Sequence, residues 1–491
     1  MPFVFADSPK GGEEARPISV LSGRAFMLHI AKGRKASEGD ASSTAETRSL
    51  DAVAQLPNLA EALRRVARNK GAHGVDGRSV EEVVGESHRL LPRLRHALLT
   101  GQYRPGDIRR VWIPKPGGGQ RGLGIPNVVD RLIQQAVHQV LEPAFEAGFH
   151  DSSHGFRRGR GAQTAIAEAK AYVNEGRNWV VGVDLSKFFD RVNHQRLLAR
   201  MGQKVQDQGL LKRVHRMLKA AVVMPDGTKV QTTEGTPQGG PLSPLLSNIV
   251  LDELDWEMAR RGLCFVRYAD DFNVFVRSER AGHRVMAALT RFIEGRLRLK
   301  VNVDKSEVAP PEQVHFLGFS LRKRAGADGV EVLLSKRTRQ RMAAKIRELT
   351  PRSHGQSLEA CMARVSRYVT GWAGYFRLCT HEHAHRYFRG YDAHIRRRIR
   401  AIIIVHRKRP RFLLRLLVER GIRPATAWKS AYLGGTWARS HTYGMNRAFP
   451  NSWFHQQMAS LWGTWLKFNP PEPAIEASTG QLRLPGFEMQ S

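Results

Sequence analysis

Apolar residues at Leu59, Leu63 and Val66 recur at the 3.6-residue period of a helix between Asp51 and Asn69. Three glycines in Lys70-Gly71-Ala72-His73-Gly74-Val75-Asp76-Gly77 interrupt it, and a second helical pattern runs from Val80 to Leu99. That loop is either a plain connection or a backbone that approaches a phosphate strand. Arg109–Pro114 and Gly122–Pro126 read as strands around a glycine turn, followed by a helix over Val128–Phe145. Trp179–Leu185 is a short apolar run interrupted by Asp184, the pattern of a buried strand with a carboxylate at its end. Gly235–Pro244 is a Gly/Pro turn leading into a helix over Leu245–Arg261. Leu263–Val266 and Asn273–Val276 are rich in β-branched and aromatic residues, which predicts a hairpin with Asp270 and Asp271 at its tip. Further on, helices are expected at Thr338–Leu349, Leu358–Phe376 and Tyr387–Val405.

Charge changes this picture most. The 491 residues carry 78 Lys+Arg against 45 Asp+Glu, a net of +33, which implies a polyanionic partner, most simply nucleic acid. A membrane is the rival, but the apolar run Ala401–Val405 is far short of the ~20 residues needed to span one. Cys264, Cys361 and Cys379 form no paired motif, and the N-terminus has no secretion-signal pattern, so a reducing, cytoplasmic setting is expected.

The Asp270-Asp271 pair is an ordinary turn feature or a metal site, since a divalent cation relieves the repulsion between adjacent carboxylates. Asp184 and Asp270 on neighbouring strands could share two Mg²⁺ ions roughly 3.5–4 Å apart. Lys115 and Arg121, on opposite arms of a hairpin, are either solvated or a clamp for a triphosphate. Ser153–Gly161 packs Arg157, Arg158 and Arg160 among glycines beside Phe156, which suits contact with a nucleic-acid backbone.

In order along the chain, Asp184-x-x-x-x-Phe189, Pro237-Gln238-Gly239-x-x-x-Ser243-Pro244, Tyr268-Ala269-Asp270-Asp271, Asn302-x-x-Lys305-Ser306 and Phe316-Leu317-Gly318-Phe319 resemble the palm motifs of reverse transcriptases. The Lys70–Gly77 loop, Ile113-Pro114-Lys115, His154-Gly155-Phe156-Arg157 and Gly371-Trp372-x-Gly374-Tyr375-Phe376 narrow the likeness to bacterial group II intron-encoded reverse transcriptase/maturases, over roughly residues 50–465. One departure is Gly122, where that family usually has Pro. Glycine should loosen the arm holding Arg121 and modestly weaken nucleotide binding; an unchanged nucleotide KM in Gly122→Pro would refute this.

The resemblance implies an α+β right-hand polymerase with an antiparallel palm sheet. A leader (1–45) would precede fingers and palm (46–325), an α-helical thumb or maturase domain (326–410), a basic DNA-binding-like domain (411–468) and a loose tail (469–491). Asp184, Asp270 and Asp271 would hold two Mg²⁺, and Lys305 would donate a proton to pyrophosphate. Lys115 and Arg121 would contact the triphosphate, Phe189 would exclude a 2′-hydroxyl, and Gln238 and Gly239 would lie near nucleotide and template.

Residues 321–420 carry 25 Lys+Arg against 7 Asp+Glu, a net of 25 − 7 = +18. Lys336, Arg337, Arg339, Arg396, Arg397, Arg407 and Lys408 are therefore candidate nucleic-acid contacts. The implied partners are group II intron RNA, an RNA template with DNA primer, target DNA and deoxynucleotides; a homo-oligomer stays open. Most of the aromatic residues between Arg411 and Phe468 are expected in a core. No His- or Cys-rich endonuclease signature follows, which implies priming without second-strand cleavage. A splicing-only RNA-binding maturase, a retron, diversity-generating or CRISPR-associated reverse transcriptase, and an RNA-templated RNA polymerase are the alternatives.

Overall fold

A computed structural model describes residues 48–114, 118–324, 329–352, 355 and 357–470. The expected leader (1–45), nearly all of the expected tail and Lys115 lie outside them. The chain divides after Val330 into two compact units.

In the first unit, the leading helical pattern is broken at Gln55, and its main helix is α1 (Leu56–Arg68) with Pro57 in its first turn. The hairpin β1 (Ile108–Pro114) and β2 (Gln120–Ile125) pairs Ile113 with Arg121. Helices α2 (Val128–Glu146) and α3 (Ala162–Asn174) precede β3 (Trp179–Val183). Two short strands, β4 (Val222–Val223) and β5 (Lys229–Val230), extend the hairpin into a sheet ordered β2-β1-β4-β5. The long helix α4 (Ser243–Arg260) leads into β6 (Cys264–Tyr268) and β7 (Asp271–Val276). After α5 (Glu279–Arg291) comes β8 (Glu307–Ala309).

The second sheet, ordered β6-β7-β3-β8, is antiparallel throughout and carries the candidate site. Val180, Val181 and Val183 of β3 and Phe272, Val274, Phe275 and Val276 of β7 are all buried, which explains their mostly apolar runs; buried Asn273 is the one polar residue among them. Helix α5 packs on β3, while α3 and α4 pack against β6. At Gly282 of α5 a Cβ would come within 2.5 Å of Val308, so only glycine lets the helix lie that close to β8. The loop at Lys70–Gly77 is mostly exposed and is anchored to the protein at two points. Arg131 donates to Ala72 O at 2.6 Å, and a Cβ at Gly74 would stand 2.2 Å from Asn127. Phe316–Phe319, expected as a closing strand, is instead a tight turn with Leu317 and Gly318 at positive φ, and the strand begins at Phe319.

The second unit contains α6 (Lys336–Leu349), α7 (Leu358–Tyr375) and α8 (His381–His406), capped at the first two N-termini by Ser335 and Ser357. They are followed by α9 (Pro410–Glu419), α10 (Pro424–Tyr432) and α11 (Leu461–Phe468), among shorter helices. Asp392 of α8 accepts from Leu461 N at 2.8 Å and Trp462 N at 3.0 Å, seating α11 by its N-terminus. No described helix is long and apolar enough to cross a membrane.

Candidate active site

Two strand ends and one turn bring the carboxylates together. Val183 pairs with Phe272, so Asp184 leaves β3 beside Asp271, the first residue of β7. Asp270 sits in the two-residue turn between β6 and β7, after Ala269 at φ +58°. The backbone at Asp184 is pinned from both sides: its N–H donates to Ser306 Oγ at 3.1 Å and its carbonyl accepts from Asn302 N at 2.8 Å. The Asn302–Ser306 segment therefore holds the strand end that carries Asp184. It also brings exposed Lys305 Nζ to 3.9 Å from Asp184 Oδ2.

Electrostatics bind these groups into one site. Burial and then the charge of Asp184 raise the Asp270 carboxyl above its usual range, against the opposing pull of Arg121. Asp271, crowded by protein and repelled by Asp270 and Asp184, is pushed up to about 7. Among the described residues no cluster of three or more Asp, Glu, His or Cys encloses a cation unaided. An open set of carboxylate oxygens under mutual repulsion nevertheless suits Mg²⁺, which takes one or two carboxylates and completes its shell with water and substrate phosphates.

Around the carboxylates, Arg121 projects from β2 within electrostatic reach of Asp270. Phe188 is buried, whereas Phe189 is only half-buried and meets it edge to face at 5.1 Å, leaving Phe189 the ring with an open side. Gly124 N donates to Gln238 O at 2.8 Å, docking the Pro237–Gly240 loop along β2. Gly239 stands at φ +127°, and a Cβ there would lie 2.7 Å from Gly124 O. Gly239→Ala is therefore expected to cost about 1–3 kcal/mol of local strain and to lower polymerase activity about tenfold or more. Wild-type kinetics in steady-state nucleotide incorporation would contradict this. At Gly122 a Cβ would meet Arg110 Nη1 at 2.5 Å, where Arg110 lies over Trp112. The glycine thus makes room for a stacked pair on the hairpin.

Several of the expected nucleic-acid contacts also have partners within the protein. Arg157 is buried, donating to Glu146 at 2.8 Å and to the carbonyls of His150 and Ser153 at 2.6 and 2.9 Å, so it braces its own loop. Arg158 forks onto Glu142 at 3.0 and 2.6 Å, and Arg160 pairs with Asp151. Arg397 lies over Trp437 with 4.0 Å to the ring centroid, and Arg339 lies over Tyr387 at 5.0 Å. Half-buried Arg396 has its pKa lowered by desolvation. Lys336, Arg337, Arg407 and Lys408 are exposed. The aromatic residues also divide: Phe454 and Trp465 are buried, whereas Trp428, Tyr432, Trp437 and Tyr443 are exposed.

Sequence reasoning missed what lies beneath the turn. Arg267 and Asp255 are both wholly buried and form a forked ion pair, with Asn248, Ser153 and Ala269 accepting the remaining N–H groups. Beside them, His154 bonds Glu168 at 2.6 Å and Thr164 at 2.8 Å. The available signal was an arginine inside an apolar strand.

Residues 113–321 match the family described as Reverse transcriptase (RNA-dependent DNA polymerase), and residues 339–417 match the Group II intron, maturase-specific domain. Protein YkfC of Escherichia coli is 34% identical over 321 residues, covering 57% of this chain and 84% of YkfC. The chain belongs to the group II intron-encoded reverse transcriptase/maturase family. Group II intron-encoded protein LtrA of Lactococcus lactis is 28% identical over 344 residues, 56% of this chain and 57% of LtrA. A solved apo telomerase from Candida tropicalis shares 14% identity over 48% of this chain and 55% of that one, with a TM-score of 0.37. Members of the reverse transcriptase/maturase family are RNA-directed DNA polymerases that generally use Mg²⁺ and pair with intron RNA.

Proposed function

We propose that this reverse transcriptase copies its intron RNA into cDNA at Asp184, Asp270 and Asp271, and assists the splicing and mobility of that intron. The observation that carries the reading is the meeting of Asp184 with Asp270-Asp271 at the ends of adjacent antiparallel strands, with Lys305 and Arg121 in electrostatic reach. Asp184 and Asp270, with Asp271 beside them, would hold two Mg²⁺ ions. When bound, such ions lower the pKa of a primer 3′-hydroxyl and offset charge on departing pyrophosphate. Arg121, with Lys115, orients the incoming triphosphate, and Lys305 offers a proton to the leaving group. Gln238 and Gly239 line the path of nucleotide and template.

The half-buried ring of Phe189 packs under the sugar, where discrimination is steric. Phe189→Val is expected to relax selection against ribonucleotides about 10–100-fold, read as the ratio of kcat/KM for deoxy- and ribonucleotides. An unchanged ratio would return Phe189 to the core. The unit from Glu331 onward grips RNA through exposed basic residues such as Lys336, Arg407 and Lys408, and its acid-poor end meets target DNA. Primer extension on an RNA template with Mg²⁺ and deoxynucleotides tests the whole reading. Absence of extension by a folded, RNA-binding protein would favour a splicing-only maturase.

A further inference from the structure

We propose that Arg267 is a positioning residue for Mg²⁺: acting through Ala269, it fixes where Asp270 and Asp271 stand. The inference rests on reading those aspartates as the metal site. Arg267 has five N–H bonds to donate, and each finds a partner. Nε and Nη2 donate to the two carboxylate oxygens of Asp255 at 2.7 and 2.5 Å. Nη2 also donates to Ser153 Oγ at 2.7 Å, and Nη1 to Asn248 Oδ1 at 3.0 Å. The remaining Nη1 bond, at 2.9 Å, goes to Ala269 O.

That last acceptor gives the arginine its function. Ala269 O belongs to the peptide group that enters Asp270, so holding the carbonyl holds the plane from which the Asp270 side chain departs. Ala269 is a non-glycine residue at φ +58°, a conformation that persists only where its surroundings impose it. The surroundings impose it from two sides. Besides the guanidinium, a Cβ at Gly155 would lie 2.3 Å from Ala269 N, so the backbone of the Ser152–Gly155 loop rests directly on the turn. The same loop is tied down by His154 N donating to Arg267 O at 2.8 Å and Asn248 Nδ2 donating to Gly155 O at 2.9 Å.

Burial obliges all five N–H groups to find acceptors, and Asp255 takes only two of them. Here α4 supplies Asp255 and Asn248, the loop supplies Ser153, and the immobilised guanidinium turns its last donor on the turn that bears the carboxylates. Ligands must be held to within about 0.5 Å for tight binding, and such supporting bonds typically govern about 10–100-fold in metal affinity.

The experiment compares full-length wild type with Arg267→Lys and Ser153→Ala. Lysine keeps a charge for Asp255 but has no planar fork to reach Ala269 as well. Serine removal spares the ion pair and takes away one of the anchors. The readouts are Mn²⁺ binding to the protein alone by electron paramagnetic resonance, the Mg²⁺ half-saturation of primer extension, RNA affinity and thermal melting. Arg267→Lys should weaken Mn²⁺ binding and raise the Mg²⁺ requirement about tenfold. Ser153→Ala should do the same about threefold, with RNA affinity unchanged in both.

A purely structural arginine would lower the melting temperature and leave Mn²⁺ affinity of the folded protein as in wild type; that result overturns the proposal. Should Arg267→Lys fail to fold, Ser153→Ala decides alone, by the same Mn²⁺ readout. Active Asp270→Ala would defeat the site reading itself. Inactive Asp270→Ala alongside wild-type Mn²⁺ binding in the Arg267 and Ser153 variants would defeat the positioning role only.

Discussion

Asp270→Ala is expected to lower RNA-templated primer extension by about 10³-fold or more while leaving RNA binding within about twofold. Losing a ligand to a catalytic ion forfeits several kcal/mol of transition-state stabilisation, and each ~1.4 kcal/mol is a factor of ten in rate. RNA affinity comes from cations on phosphates, so removing a carboxylate takes away none of it. The test is single-turnover extension of a DNA primer on RNA, beside a filter-binding titration of the same RNA. Near-wild-type extension by the variant would place the metal elsewhere. Removing Mg²⁺ with a chelator should reproduce the loss in the wild type, and restoring the ion should reverse it.

The second large effect concerns stability. Asp255→Ala should cost about 3–5 kcal/mol, because it leaves the Arg267 guanidinium charged, dry and unanswered. Both side chains have zero solvent exposure, so water cannot take the place of the lost carboxylate. The measurable result is a large fall in the urea midpoint of the first unfolding transition. A replacement of both partners, Asp255→Leu with Arg267→Met, should regain part of that stability, since buried ion pairs often yield to apolar pairs without loss. It should not regain full polymerase activity, because the bond to Ala269 O is gone. A variant that regained both would show the pair to be packing and nothing more.

The sequence disclosed what depends on local pattern. β-branched and aromatic residues marked the Cys264–Val276 hairpin, and a Gly/Pro turn marked the approach to α4. The carboxylates were legible because Asp184 follows an apolar strand and Asp270-Asp271 lies between two others, features visible without any partner, although only Asp270 sits in the turn and Asp271 already begins β7. What stayed hidden depends on distant pairing. Asp255 and Arg267 are only 12 residues apart, yet nothing in either segment says that both face inward. Arg157 looked like a phosphate contact because its neighbours are Gly and Arg; its partner Glu146 lies at the end of another helix, 11 residues back. The resemblance of Phe316–Phe319 to the family's closing motif implies a strand, but positive φ at Leu317 and Gly318 makes a turn there. The aromatic C-terminal residues split because helical register, which mere crowding does not reveal, decides which of them face inward.

The segment from Gly421 to Pro470 contains five Lys+Arg and no Asp or Glu, and it exposes Trp428 and Tyr432 stacked at 5.2 Å. A surface with no counter-charge of its own must borrow one from its surroundings. At low salt the purified protein should therefore travel with whatever polyanion it last met and scatter or precipitate once stripped of it. Its handling becomes a matter of competing cargo: heparin or about 0.5 M salt keeps it dispersed, and an absorbance ratio at 260 and 280 nm records how much nucleic acid still rides along. Any affinity measured without that check is an exchange constant, taken against a passenger already aboard.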